Sequence, residues 1–121
     1  MSIANVLAGI AVKDLDAAVA WYGDLLGREP DARPMKGLAE WKFEKGGWIQ
    51  VFVDALRAGH SAVTLVEDDL DGQLKVLESK GVTVGARSEN DYVKTAMLKD
   101  PDGNQVVLAQ SLSDRNDAAS A

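Results

Sequence analysis

Apolar positions along the chain alternate between a period of two and one near 3.6, and each change of period marks a predicted element. Residues 6–12 are apolar on both parities, with Ala8, Ile10 and Val12 on one and Leu7, Gly9 and Ala11 on the other. Such a run suits a strand buried on both faces or roofing a cavity, and Gly9 and Ala11 leave room above it. Asp14-Leu15-Asp16 then supplies a helix N-cap, and Leu15, Val19, Tyr22 and Leu26 follow at helical spacing up to the stop at Gly27. Trp21 and Tyr22 read as core. Residues 30–37 hold two prolines and a glycine and predict an irregular or edge segment. Over 38–43, Ala39, Trp41 and Phe43 alternate with Glu40 and Lys42 as in a half-buried strand. Lys45-Gly46-Gly47 turns the chain and 48–53 returns. A loop with an even number of residues would set Ile49 and Val51 on the face of Glu40, whereas an odd one would set Trp48, Gln50 and Phe52 there. The sequence leaves both registers open.

A strand over 62–66 follows the loop 54–60. Asp69-Leu70-Asp71 caps a second helix, with Leu70, Leu74 and Leu77 on its apolar stripe and Gly81 at its end. Strands are predicted over 82–84, 93–98 and 105–109. The last two are joined by Asp100-Pro-Asp-Gly-Asn104, the strongest turn signal in the chain: Pro fixes φ, Gly accepts positive φ, and Asp and Asn bond their own backbone. The polar, alanine-rich residues 113–121 read as a flexible tail.

This order of elements is a repeat. A strand, an acidic cap and a glycine-terminated helix begin at Ile10 to Asp16 and again at Val63 to Asp71, and three strands follow each. Neither half can bury its helix alone, so both are expected in one domain over 1–112, with modules at about 4–56 and 60–111. The predicted class is α+β, two βαβββ modules forming a curved mixed sheet around a cavity with the helices outside.

Composition narrows the partners. Hydrophobic residues are 46% and charged residues 26%, which is ordinary for a globular domain. A net charge of −6, with the 13 basic residues scattered, disfavours nucleic acid and anionic membranes as partners. There is no cysteine, hence no disulfide, thiolate metal site or thiol nucleophile. No targeting segment or membrane-length apolar run stands out, and the expectation is a cytoplasmic protein. No glycine-rich phosphate loop, serine triad or zinc spacing appears.

The βαβββ repeat, with Asp14-Leu15-Asp16 to Tyr22 and Leu25-Leu26-Gly27 in the first half and Asp100-Pro-Asp-Gly-Asn104 in the last hairpin, resembles the vicinal oxygen chelate superfamily. This is the group of glyoxalases, bleomycin-resistance proteins and extradiol dioxygenases. The resemblance implies a cavity and, in the enzymes, a divalent metal held by His, Glu or Gln. The four ligand positions fall here on Leu7, Glu40, Ser61 and Val107. Only Glu40 is a good ligand, and His60, the single histidine, is one residue from Ser61.

The leading expectation is therefore a metal-independent small-molecule-binding protein of the antibiotic- or metabolite-binding type, without a cofactor and paired as a homodimer. Its cavity residues are expected to be Leu7, Glu40, Trp48, Gln50, Phe52, His60, Ser61, Tyr92, Met97 and Val107. Glu40 would be the polar contact and the aromatic rings would stack a planar ligand. An acidic balance suits a basic ligand. No residue is assigned a catalytic role. The alternatives are a metal-dependent lyase or dioxygenase using Glu40 and His60, and a protein-interaction module.

Overall fold

The structure, a computed structural model, describes residues 2–112, so the tail predicted at 113–121 lies outside the described residues. Each half of the repeat folds into a four-stranded mixed sheet with one helix on its outer side. The first half comprises β1 (Leu7–Val12), α1 (Leu15–Leu26), β2 (Ala32–Met35), β3 (Leu38–Lys42) and β4 (Trp48–Val53). The second comprises β5 (Ala62–Val66), α2 (Leu70–Ser79), β6 (Arg87–Glu89), β7 (Val93–Lys99) and β8 (Gln105–Ser111). Strand orders are β1-β4-β3-β2 and β5-β8-β7-β6, the same topology twice. In each, the first strand runs parallel to the last and the other pairs are antiparallel.

Capping follows the sequence signals. Asp14 accepts from the N–H groups of Asp16 and Ala17, and Asp69 from that of Gly72, satisfying donors that a helix start leaves orphaned. Gly27 (φ 73°) ends α1 in the left-handed conformation that glycine adopts without strain.

At the end of α2 the structure departs from the expected strand at 82–84. Gly81 N–H bonds to Glu78 C=O and Val82 N–H reaches back to Leu77 C=O, the Schellman arrangement. Val82, 8% exposed, thereby becomes an apolar plug of the core beyond the helix. The edge strand of this half forms instead at Arg87–Glu89, paired with β7 and exposed throughout. Charged residues on a short edge discourage further strands from adding.

One apolar cluster joins the halves: Ile10, Val12, Trp41, Ile49 and Val51 of the first pack with Leu74, Leu77, Leu98, Val106 and Leu108 of the second. A polar joint locks them from the side. Asp100, 5% exposed, accepts from the N–H groups of Asp102 and Asn104 (3.0 and 2.9 Å) and, from α1, the Tyr22 hydroxyl (2.8 Å). Asn104 donates to Ala11 C=O (2.7 Å) and to Asp100 (2.8 Å) and accepts from Ser61 N–H (2.8 Å). Ser61 Oγ in turn accepts from Ala11 N–H (3.0 Å). The turn that closes the last hairpin therefore fastens α1, β1 and the start of β5 together.

Candidate functional site

Alternation along the strands sends the core residues to the helix side and leaves the opposite face of each sheet open. An odd number of residues, 43–47, separates β3 from β4, and the register pairs Lys42 with Trp48, Glu40 with Gln50 and Leu38 with Phe52. Trp48, Gln50 and Phe52 therefore share the face of Glu40. On the other side of β4, β1 aligns Leu7 with Trp48, Gly9 with Gln50 and Ala11 with Phe52.

The resulting surface has a polar centre between two aromatic rings. Gln50 Nε2 donates to Glu40 Oε2 at 2.6 Å, and Glu40 is only 5% exposed. Burial of a carboxylate against one neutral amide is costly unless a donor or cation completes its shell. Lys42 places its ammonium 4.1 Å from the centre of the Trp48 ring, and Arg57 lies 5.7 Å from that of Phe52. Gly9 is small because the Phe52 ring needs the space: a Cβ there would stand 3.2 Å from Phe52 Cε1. Arg57 is anchored by Asp54 (2.8 Å), and that hydrogen bond holds the Asp54 carboxyl below the usual carboxylate range. Leu7 and Trp48 also border a groove of about 250 Å³ that passes Phe43 towards Val63, Thr64 and Leu65.

The second sheet presents a plainer face. Val107 pairs with Thr64 and Met97 on its two sides, and Thr95 and Ser88 share a hydrogen bond at 2.7 Å further out. Tyr92 is 48% exposed at the start of β7. The repeat is thus symmetric in backbone and asymmetric in chemistry. Of the expected residues, Leu7, Glu40, Trp48, Gln50 and Phe52 are brought together on the first sheet, and Met97 and Val107 on the second. His60 is exposed in the connection before β5. Ser61 sits in the joint between modules, its Oγ engaged by Ala11.

A family model for the Glyoxalase/Bleomycin resistance protein/Dioxygenase superfamily matches residues 3–108. The chain belongs to that superfamily. A glyoxalase/bleomycin resistance protein from Catenulispora acidiphila is 35% identical and superposes with a TM-score of 0.79 over 88% of this chain and 96% of its own. TnmS3, an antibiotic binding protein from Streptomyces sp. CB03234, shares the fold at 24% identity and a TM-score of 0.78, over 92% and 98% of the two chains. A further glyoxalase/bleomycin resistance protein of that Streptomyces strain gives 23% identity and a TM-score of 0.73, over 87% and 98%. No curated protein matches the chain.

The resemblance implies a metal in the superfamily's enzymes, and the residues at the four positions that it would assign as ligands, Leu7, Glu40, Ser61 and Val107, do not fit one. They offer the Glu40 carboxylate, a serine oxygen already accepting a backbone N–H, and two alkyl groups. A catalytic divalent site takes about three good ligands. Among the described residues, no group of three or more His, Asp or Glu side chains could hold an ion. Lys42, Arg57 and Gly9 complete the Glu40 face and were not among the expected cavity residues. Lys42 shares the strand parity of Glu40 and was readable from that alternation alone; only its pairing with Trp48 needed the loop counted as odd. Arg57 comes from a connection whose path has no sequence signal.

Proposed function

We propose that this superfamily member binds a planar, polar or cationic small molecule on the Glu40 face without a metal, and sequesters rather than transforms it. The observation that carries the reading is the buried Glu40, hydrogen-bonded to the half-buried Gln50 and set between Trp48 and Phe52. The carboxylate supplies charge and direction, Gln50 keeps a further N–H and a carbonyl for hydrogen bonds, and the rings supply stacking area. The antibiotic-binding relative TnmS3 has the same fold and lends this reading support.

Two copies are proposed to pair so that the open sheet faces enclose the ligand. Exposed apolar residues, among them Leu7, Val66 and Tyr92, are the surface such pairing would cover. Among the described residues, no helix is long and apolar enough to cross a membrane. A thermal-shift screen of planar cationic and neutral aromatic compounds tests the binding. Hits that stabilise the wild type and lose their effect in Glu40→Gln support it, and hits indifferent to Glu40 count against it.

A further inference from the structure

Both rings that flank the Glu40–Gln50 pair carry a cation from this same chain, but the two are held differently. Arg57 is tied to Asp54 through its guanidinium. The Lys42 ammonium takes part in none of the four ion pairs of the described residues, and its resting place is the Trp48 ring, 4.1 Å away. The Lys42 backbone, in contrast, is fixed. Its N–H donates to Asp31 Oδ2 at 2.6 Å and its C=O accepts from Arg28 Nη2 at 2.5 Å. The Asp31 carboxyl is held below its ordinary range first by the Arg28 hydrogen bond and next by this Lys42 N–H. A rigid base therefore carries a flexible four-carbon arm whose charged end rests on the ring.

We propose that Lys42 is a built-in occupant of the Trp48 ring face and sets the charge selectivity of the site, opposing cationic planar ligands that Glu40 alone would favour. The inference rests on the reading of the Glu40 face as a ligand site. A flat molecule that stacks on this face of Trp48 must first displace the ammonium. Indole is the strongest cation–π acceptor among the side chains, so a cationic ligand competes with Lys42 for one and the same surface. After displacement the tethered ammonium stays beside the ligand and repels it if the ligand is cationic. A neutral planar ligand meets only the loss of one weak contact. Glu40 and Lys42, two positions apart on the same face, thus act in opposite senses on ligand charge.

The test is a titration of the wild type, Lys42→Met and Glu40→Gln with proflavine, a planar cation, and acridone, a neutral ring system of similar size. Methionine keeps the length of the arm and removes its charge. The Lys42→Met protein is expected to bind proflavine about 3- to 10-fold more tightly than the wild type and acridone within about twofold. In the free wild type the Lys42 ε-methylene protons should resonate upfield under the Trp48 ring current, and return to ordinary values when proflavine binds. If Glu40→Gln weakens proflavine at least tenfold while Lys42→Met leaves it unchanged or weaker, the Lys42 inference fails and the ligand site stands. If proflavine does not bind, or binds regardless of Glu40, the site reading fails and the inference falls with it.

Discussion

Replacing Asn104 by alanine removes three side-chain hydrogen bonds at the joint between the modules: those to Ala11 C=O, Asp100 and Ser61 N–H. The Asp100 carboxylate keeps Tyr22 and two backbone donors, so its loss is partial. Ala11 C=O and Ser61 N–H lose the Asn104 side chain in a site where Asn104 itself is 1% exposed. Each buried backbone group left without a partner costs about 1–3 kcal/mol, reduced where water enters the vacated space. The expected loss is about 3 kcal/mol, or about 10 °C in Tm for a chain of this size. Equilibrium urea unfolding measures it directly, with an unchanged slope showing that the same surface is exposed. A control at the half-buried Asp102, whose side chain accepts only from Lys13 N–H at 3.2 Å among the described residues, should cost under about 1 kcal/mol as Asp102→Ala. An Asn104→Ala loss no larger than that of the control would refute the joint as a source of stability.

Three further outcomes follow from the same geometry. Gly59→Ala should destabilise by more than about 2 kcal/mol, because φ is +90° and the new Cβ would meet Asp102 C=O at 2.6 Å; chemical unfolding measures this. Burial first, then the nearby Asp68 and Asp69, raises the Glu67 carboxyl above its ordinary value. Its favourable contribution is therefore present below the ordinary glutamate range and lost as pH rises through the raised value. Glu67→Gln should accordingly raise stability at pH 7 by well under about 1 kcal/mol after solvent screening, seen as a small rise in Tm, and leave Tm unchanged near pH 4. Burial, then the charge and hydrogen bond of Asp100, raise the Tyr22 hydroxyl far above its ordinary value. Stability should decline as pH climbs past about 10, where an unfolded tyrosine ionises, and Tyr22→Phe should remove that part of the alkaline limb in a pH series of unfolding curves.

Most of the fold was legible because its signals are local. Asp14, Asp69, Gly27 and Gly81 mark helix ends through their own backbone chemistry, and the two βαβββ halves repeat them in order. The Asp100 to Asn104 turn was equally plain as a turn. Its second task was not, since the partners Ala11, Ser61 and Tyr22 are distant in sequence and meet it only in the folded chain. β6 escaped the pattern because Arg87, Ser88 and Glu89 bury nothing and are a strand solely by their hydrogen bonds to β7. Val82 looked like strand because an apolar residue after a glycine fits both a new strand and the end of a Schellman turn. On the Glu40 face, loop parity decided which residues gather, and the Glu40–Gln50 bond gives that register its polar centre. Which cations rest on Trp48 and Phe52 depends on side-chain paths that no period reveals.

On the proposed reading Glu40, and no metal, organises ligand binding on this face. Calorimetric titration of a planar cationic compound from the thermal-shift screen, into chelator-treated wild type and Glu40→Gln, tests it most directly. Loss of a charge-assisted contact at a buried carboxylate should weaken binding by about 10- to 100-fold. Full affinity is expected in the presence of chelator, and that loss in Glu40→Gln. Binding that appears only after a divalent metal is added, or that is equal in the two proteins, would contradict it.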